Sequence, residues 1–292
     1  ADSMGEIRDL LDATLDRLEH LYELGDGITG TPTGFIDLDE LLSGLQPNAL
    51  IIVGARPAMG KTAFALNIAS HAAVRENKPV LIFSMEMGHL ELTQRMLCSE
   101  ANVDAKNMRD GKLNEDDWQR ISNGIGRLAE SPMWIDDNPN LTIMEIRAKA
   151  RRLKSRAGDL GLVVVDYLQL MTGRSSAESR QVEVAEISRG LKILARELEC
   201  PVLGLSQLSR NLEMRQDKRP MLADLRESGS IEQDADVVMF LYRDEVYHPG
   251  GDSEGMAEVI VAKHRNGPTG TIQLGFVPRF AAFRNLTRRD AV

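Results

Sequence analysis

The chain has 292 residues, of which 42% are apolar, so it can build one large α/β domain or two small ones around a sizeable core. Its net charge of −9 excludes a surface that is basic throughout, although a local basic groove for nucleic acid stays compatible with it, because charges act over short distances in physiological salt. No apolar run approaches the roughly 20 residues that span a bilayer, and the start of the chain lacks the pattern of a secretory signal.

The first segment predicts an amphipathic helix over residues 4–24. Its apolar residues recur at helical spacing, and Asp, Arg and Glu occupy the opposite face. Residues 25–34 then contain five glycines and prolines, which predict a flexible linker. A helix tethered in this way either folds back on its own domain or packs on a neighbouring subunit, and the spacing leaves both alternatives open.

Strand and helix patterns alternate after the linker. The predicted strands are Leu50–Val53, Val80–Met85, Met133–Asp136, Leu162–Tyr167, Val202–Leu205 and Val237–Tyr242. The predicted helices are Lys61–Ala73, His89–Glu100, Asn114–Glu130, Ile143–Arg156 and Gln181–Glu199. Two further strands, Ala257–Ala262 and Thr271–Phe276, flank a turn with Gly and Pro and predict an antiparallel pair. Apolar strands that alternate with helices predict an α/β fold with a mostly parallel sheet covered on both faces.

The two cysteines, Cys98 and Cys200, lie in apolar or helical surroundings. Neither has a C-x-x-C pattern or a His pair nearby, which disfavours a zinc site or a disulfide framework. Thiols placed in this way favour a reducing cytosol, so we expect a cytoplasmic protein.

The segment Leu50–Thr62 carries the most specific chemical signal. A buried strand leads into a tight turn, and Gly60-Lys61-Thr62 opens a helix, which is the context of a phosphate-binding P-loop. Loop amides and the positive end of the helix dipole cradle phosphate oxygens there. The usual first glycine of G-x-x-x-x-G-K-[ST] is replaced by Ala55. The predicted nucleotide-binding residues are Ala55, Arg56, Pro57, Ala58, Met59, Gly60, Lys61, Thr62 and Ala63. The alternative is a chance Gly-Lys-Thr at a helix start.

A metal site is predicted beside the P-loop. Lys61 can reach the β- and γ-phosphates, and the Thr62 hydroxyl can ligate Mg²⁺. Asp166 ends an apolar strand, as a Walker B aspartate does, and can hold the hydration shell of the ion. An aspartate that only caps a loop is the alternative.

Hydrolysis needs an oriented water and groups that respond to the γ-phosphate. Glu86 follows the strand Val80–Met85 and suits a residue that polarises the attacking water, while helix capping is its alternative role. Gln207 follows the strand Val202–Leu205 and can hydrogen-bond the γ-phosphate, while an exposed loop glutamine is the alternative.

Lys263 and Arg265 stand at the tip of the last strand pair. Cations two positions apart on a strand point the same way and can act on one anion. Nothing local supplies that anion, so the nucleotide of a neighbouring subunit is a reasonable target, reached by a finger in trans. A solvated hairpin tip is the alternative.

Six motifs together closely resemble the C-terminal motor domain of DnaB-type bacterial replicative DNA helicases, over about residues 8–286. They are Ala55–Thr62, Ser84–Met87, Val165–Leu170, Ser206–Arg210, Asp224–Asp236 and Lys263–Pro268. The resemblance implies a RecA-like P-loop NTPase fold, a hexameric ring and ATP with Mg²⁺ at each subunit interface. It implies that Glu86 is the catalytic carboxylate, Gln207 the γ-phosphate sensor, and Arg265 with Lys263 the trans-acting pair.

The resemblance also implies contacts with DNA and with partners. Arg226, Glu227 and Gly229 would line the ring channel and touch the backbone of single-stranded DNA, whereas an ordinary turn before a helix at Ser230–Asp236 is the alternative. Residues 1–24 correspond to the linker helix, which docks on the adjacent subunit, residues 25–34 to the flexible linker, and residues 35–292 to the motor domain. Full-length members carry a further N-terminal domain, so we expect a truncated form whose contacts with primase and a helicase loader are partly lost.

The resemblance therefore predicts an ATP-dependent helicase that translocates on single-stranded DNA and unwinds duplex at the replication fork. Three alternatives remain at this stage: a RecA-like ATPase that pairs strands, a clock-type phosphotransferase of the same fold, and a nucleotide-gated assembly module that hydrolyses ATP slowly.

Overall fold

The computed structural model describes residues 4–25, 27–166, 168–170, 180–225 and 229–286. The strands are β1 (Leu50–Ala55), β2 (Val80–Ser84), β3 (Met133–Asp136), β4 (Leu162–Asp166), β5 (Val202–Gln207), β6 (Val237–Tyr242), β7 (Met256–His264), β8 (Gly270–Val277) and β9 (Ala282–Asn285). The helices are α1 (Ile7–Leu24), α2 (Ile36–Leu42), α3 (Lys61–Ser70), α4 (His89–Ala101), α5 (Ala105–Asp110), α6 (Glu115–Ala129), α7 (Ile143–Ala157), α8 (Arg180–Leu198) and α9 (Gly229–Asp234).

The strands form one sheet in the order β3-β2-β4-β5-β1-β6-β7-β8-β9. The strands from β3 to β6 run parallel, and β7, β8 and β9 continue the sheet in antiparallel pairing. The prediction of a mostly parallel sheet with an antiparallel C-terminal part is confirmed, but β9 adds a third antiparallel strand that the apolar patterns did not indicate.

Helices cover both faces of the sheet because alternate strand residues point to opposite sides. In β1, Ile51 and Val53 join a core with α3 and α4, whereas Leu50 and Ile52 join a second core with α7 and α8. A strand buried on both faces must be apolar at every position, which explains the continuous apolar runs in the sequence.

Short elements account for most differences from the prediction. Helix α2 is seven residues long, and α5 begins where the Asp104 side chain accepts hydrogen bonds from two backbone amides, a capping signal that the sequence does contain. The single helix predicted over Lys61–Ala73 is wrong at its end, because α3 stops at Ser70 and the chain continues as a wider π-helical turn, His71–Arg75.

Residues 30–34 are packed into the domain although they belong to the predicted linker. Thr31 pairs with Leu45 in an isolated bridge, and the amide and hydroxyl of Thr33 both donate to the Asp39 carboxylate. A side chain at Gly30 would lie 2.5 Å from the Leu45 carbonyl oxygen, so glycine permits this close approach. The glycines and the proline of residues 30–34 therefore belong to tightly packed turns, although the same composition is typical of a flexible linker.

Helix α1 leaves its apolar side chains exposed. Leu10, Leu15 and Leu18 are 52%, 55% and 57% exposed, and Tyr22 is 88% exposed. A fold-back of this face onto its own domain is therefore not what the structure shows. Docking of α1 on a neighbouring subunit stays a prediction.

Candidate nucleotide-binding site

The predicted site residues meet at one edge of the sheet. The P-loop follows β1, and Glu86, Asp166 and Gln207 lie at or just beyond the carboxyl ends of β2, β4 and β5. The strand register aligns these ends, because Ala55 pairs with Gln207 and Ser84 with Asp166. Ligands of parallel α/β sheets bind outside the carboxyl ends of the strands.

The P-loop backbone is shaped by two residues with left-handed conformations. Ala58 has a φ of 71° and Gly60 a φ of 91°. A Cβ atom at Gly60 would also lie 2.9 Å from Cζ of Phe283, so glycine is required there by conformation and by space. Helix α3 begins at the next residue, so the loop amides and the helix N-terminus face one point.

The replacement of the first glycine by Ala55 has a simple account. Ala55 is fully buried at the end of β1 and is not among the described residues with positive φ, so a methyl group is accommodated. Of the predicted set, Met59 does not line the cavity, and its side chain is 2% exposed in the core.

Lys61, Thr62 and Asp166 form a compact polar cluster. The Thr62 hydroxyl donates to Asp166 Oδ2 at 2.9 Å, and Lys61 Nζ lies 3.9 Å from Asp166 Oδ1. Burial raises the pKa of Asp166 and lowers the pKa of Lys61, and their mutual attraction offsets each shift only in part. A ligand that brings phosphate oxygens and a cation would stabilise the charged forms of both side chains.

The cluster fits a magnesium ion that arrives with a nucleotide. Asp166 Oδ1 is buried and accepts no hydrogen bond from any residue that the structure describes. In the same part of the chain no group of three or more His, Cys, Asp or Glu could hold a metal alone. Magnesium in phosphate sites takes only one or two protein ligands besides phosphate and water, so Asp166 and Thr62 suffice.

Glu86 is exposed in the bend after β2 and lines a cavity of about 500 Å³ together with Lys61 and Gln207. The cap of α4 comes from another residue, because the His89 amide donates to Asp137 Oδ2 at 2.9 Å. The capping alternative for Glu86 is therefore wrong. Its carboxylate is free to orient a water in the cavity.

Gln207 is partly buried at the end of β5 rather than on an exposed loop. Gln169 holds the backbone at this position, because the backbone N–H of Gln207 donates to Gln169 Oε1 at 3.1 Å and Gln169 Nε2 donates to the Ser206 hydroxyl at 2.8 Å. The next residue, Leu208, forms an isolated bridge with Leu225, which directly precedes position 226. Backbone pairing therefore joins the residue after Gln207 to the residue before the segment that is predicted to bind DNA.

Several residues of the cavity wall were missed by sequence reasoning. They are Arg95, Arg243, Phe276, Pro278 and Ala281. Arg243 follows β6 and could have been found, because it stands at the same sheet edge as the predicted residues. Its Nη1 donates to the Ala58 carbonyl at 2.9 Å, and its guanidinium lies 3.9 Å from the Phe276 ring centre. Phe276, Pro278 and Ala281 come from the β8–β9 region, whose pairing no local pattern indicated.

Lys263 and Arg265 lie at the opposite edge of the sheet. Val238 pairs with Lys263, and the adjacent Val237 pairs with Ile51 near the start of β1, whereas the P-loop follows its end. The pair therefore stands away from the nucleotide cavity of its own chain. The expectation that nothing local supplies an anion is wrong, because Arg265 Nη1 lies 3.3 Å from Asp236 Oδ1.

The predicted DNA contacts are described only in part. Arg226 and Glu227 lie outside the described residues. Gly229 is exposed as the first residue of α9, and none of the described residues lies within 4 Å of the place a Cβ atom would take. The helix predicted over Ser230–Asp236 begins one residue earlier and ends at Asp234.

A lysine and a threonine at a helix N-terminus, an aspartate at the end of β4, which β5 separates from β1, and a cavity at the carboxyl edge define a P-loop nucleotide-binding domain of the RecA-like class. The chain belongs to the family of DnaB-like helicase C-terminal domains, whose model matches residues 30–285.

Two curated relatives are each 54% identical over 284 residues, namely the replicative DNA helicase DnaB of Geobacillus stearothermophilus and the replicative DNA helicase DnaC of Bacillus subtilis. The alignments cover 97% of this chain and 62% of each relative, so the chain spans less than two thirds of their length.

Solved structures are similar over nearly the whole chain. One that is described as an ATPase domain superposes with a TM-score of 0.91 at 39% identity, covering 98% of this chain and all of that one. A DnaB-like replicative helicase, described with its interactions with primase, gives a TM-score of 0.88 at 39% identity, covering 98% of this chain and 68% of that one. Among the described residues, no helix is long and apolar enough to cross a membrane.

Proposed function

We propose that this domain is the ATP-driven motor of a replicative DNA helicase. It hydrolyses ATP at the subunit interfaces of a hexameric ring, moves along single-stranded DNA and unwinds the duplex at the replication fork. The observation that carries the proposal is that Lys61, Thr62, Glu86 and Gln207 line one cavity. Thr62 bonds Asp166 there, in a domain whose family consists of DnaB-like helicases.

Each cavity residue has a role that its position supports. The P-loop amides and Lys61 bind the triphosphate, and Thr62 with Asp166 hold Mg²⁺, which neutralises charge on the phosphates when it is bound. Glu86 orients the attacking water and accepts its proton, and Gln207 hydrogen-bonds the γ-phosphate. Bound nucleotide would meet the apolar wall formed by Phe276, Pro278 and Ala281.

A ring explains why two cations stand far from the nucleotide of their own chain. Arg265 and Lys263 would reach the triphosphate of the adjacent subunit and stabilise the charge that develops there during hydrolysis. The exposed apolar face of α1 would dock on that neighbour and hold the subunits together. The exposed apolar face of α1 and the distance of Arg265 and Lys263 from the nucleotide cavity of their own chain support the ring.

The DNA would pass through the ring channel. Arg226, Glu227 and Gly229 would touch its backbone, and the Arg226 guanidinium and backbone amides near Gly229 would bind the phosphates. Such contacts need no base recognition and suit translocation. The primase named with one similar structure, and a helicase loader, are further partners that we propose for the whole protein, which would act in the cytoplasm.

The proposal is tested by removing the two groups with the clearest roles in the cavity. Lys61→Ala should weaken nucleotide binding and abolish DNA-stimulated ATP hydrolysis. Glu86→Ala should keep nucleotide binding but lower kcat by about 10²–10⁴-fold, the range for a general base. Lys149→Ala, which removes a surface lysine paired with Asp136, is the matched control and should leave kcat unchanged. Retained turnover in both cavity variants would rule the assignment out.

Unwinding of a forked duplex distinguishes the helicase from a strand-pairing ATPase, a phosphotransferase and an assembly module. Wild-type protein should release the displaced strand only with ATP, and Glu86→Ala should not. ATP turnover that DNA leaves unchanged, together with an intact fork, would favour the assembly module.

A further inference from the structure

A buried carboxylate of its own subunit holds the proposed trans-acting arginine. Arg265 Nη1 lies 3.3 Å from Asp236 Oδ1, and the Arg265 amide donates to the Asp236 carbonyl at 2.8 Å. The Arg265 side chain nevertheless remains 44% exposed. One side of the guanidinium is therefore held by Asp236, while the rest of the group stays accessible.

Asp236 is itself fixed to the framework of the domain. It is 8% exposed, and its Oδ2 accepts hydrogen bonds from the Leu50 amide at 2.8 Å and from Lys192 Nζ at 2.6 Å. Leu50 opens β1 and Lys192 belongs to α8, so the carboxylate is tied to a strand and a helix at once. With cationic or amide groups at both oxygens, it keeps one orientation and provides a rigid anchor.

Carbonyl groups at the end of α9 also hold the two cations. The carbonyl of Gln233 accepts from Arg265 Nη2 at 2.9 Å, and the carbonyl of Glu232 accepts from Lys263 Nζ at 2.5 Å. These are last-turn carbonyl groups, which lack partners within the helix and favour cations. Asp234 at the end of α9 accepts from the Ser188 hydroxyl of α8 at 2.6 Å, which fixes the helix in place.

We propose that Asp236 is a positioning residue that aims Arg265 at the triphosphate of the neighbouring subunit. A free arginine side chain samples many rotamers, and ordering them at each reaction would slow catalysis. The carboxylate and the α9 carbonyl groups order the guanidinium beforehand, so its charge is already placed when the transition state forms. The inference rests on the proposed function, because it requires the neighbouring subunit.

The first measurement separates kcat from KM in assembled rings with single-stranded DNA. Asp236→Asn should lower kcat roughly tenfold, as expected for one lost charge-assisted contact, and change KM by less than about twofold because its own nucleotide cavity is intact. Glu258→Gln is the matched control, since Glu258 lies on β7, the strand that leads to Arg265, but pairs with Arg219, and it should keep kcat. An unchanged kcat in Asp236→Asn overturns the proposal.

Asp236→Asn leaves the Lys192 ammonium without its carboxylate, which can impair folding. If this variant does not assemble, Lys192→Met with Asp236→Asn is compared with Lys192→Met alone. That comparison isolates the contact with Arg265, and the same loss of kcat is expected. Equal kcat values in the two variants overturn the proposal.

Mixed rings decide whether Asp236 acts in trans. Lys61→Ala subunits have no working nucleotide site, but they lend an intact Arg265 to a neighbour. Mixing them with Asp236→Asn subunits should raise the turnover per Asp236→Asn subunit toward the wild-type value. If turnover does not rise, Asp236 acts within its own subunit through Leu50 and β1, and the proposal is wrong.

The same mixing with Arg265→Ala subunits separates this inference from the proposed function. If Arg265→Ala subunits recover and Asp236→Asn subunits do not, only the role of Asp236 fails. If Arg265→Ala subunits keep full turnover alone, or never recover, the trans arrangement of the proposed function fails with it.

Discussion

The two edges of the sheet carry clusters of charge that differ in how well they are compensated. At the carboxyl edge, Lys61 and Asp166 are buried 3.9 Å apart, and one carboxylate oxygen lacks any described hydrogen-bond donor. At the amino edge, Asp236 accepts from Lys192 and from the Leu50 amide and faces Arg265. The first edge is arranged to receive a ligand, and the second to present a cation that is already ordered.

The largest expected effect tests whether Arg265, at the amino edge of one subunit, acts on the nucleotide at the carboxyl edge of the next. Arg265→Ala should lower kcat by about 10³–10⁵-fold, the range for an arginine finger, with nucleotide affinity nearly unchanged. Mixing with Glu86→Ala subunits should restore part of the turnover, because each variant supplies what the other lacks. Steady-state hydrolysis across mixing ratios measures this, and Arg219→Ala is the control. Assembled rings that show no recovery would mean that the two edges do not share one site.

A second prediction concerns the shape of the carboxyl edge alone. Gly60→Ala forces a positive φ on alanine and presses its methyl group on Phe283, so it should cost about 1–3 kcal/mol in the free energy of unfolding and weaken nucleotide binding about 100-fold. Gly111→Ala is the matched control, since Gly111 has a φ of +69° with nothing within 4 Å. It should cost only about 1 kcal/mol and leave binding intact. If chemical denaturation gives the same loss of unfolding free energy for both variants, the contact with Phe283 does not affect stability.

The third prediction uses the raised pKa of Asp166. In the ligand-free domain the folded state holds this proton more tightly than the unfolded chain, so stability is lost as the pH rises from the ordinary pKa of an aspartate through the raised pKa of Asp166. Magnesium reverses the effect, because the ion needs the ionised carboxylate. The Mg²⁺-dependent part of the stabilisation by ATP should therefore shrink as the pH falls and Asp166 takes up its proton.

Thermal unfolding with ATP, with and without Mg²⁺, measures this dependence. A tenfold loss of affinity corresponds to about 1.4 kcal/mol. Asp166→Asn should lose most of the Mg²⁺-dependent stabilisation. The Mg²⁺-dependent stabilisation that remains should not vary with pH. A variant that still follows the wild-type pH profile would place the metal elsewhere.

The smallest expected effect is on DNA binding. Arg226→Ala should weaken binding of single-stranded DNA about equally for all sequences and reduce the slope of log K against log salt by about 1. Fluorescence titrations at several salt concentrations measure it, with Arg219→Ala as the control. A sequence-dependent loss, or an unchanged slope, would contradict a phosphate contact.

The carboxyl edge could be predicted because one physical rule covers it. Parallel strands end at the same edge, so apolar runs followed by Glu86, Asp166 and Gln207 had to bring these side chains near the P-loop. Short elements such as α2 and β9 escaped, because a few residues carry too little periodicity. The contact between Arg265 and Asp236 escaped because it depends on the pairing of β6 with β7, whose register shifts at Val238/Met239.

The position of Phe283 has a consequence for synthesis. This residue of β9 packs against Gly60 and Phe64, and its amide donates to Asn67 of α3 at 2.7 Å, so β9 closes the wall behind the first phosphate-binding element. A polypeptide emerging from the ribosome exposes the P-loop long before β9 leaves the exit tunnel. We therefore expect the nascent domain to bind nucleotide only once β9 has emerged and paired.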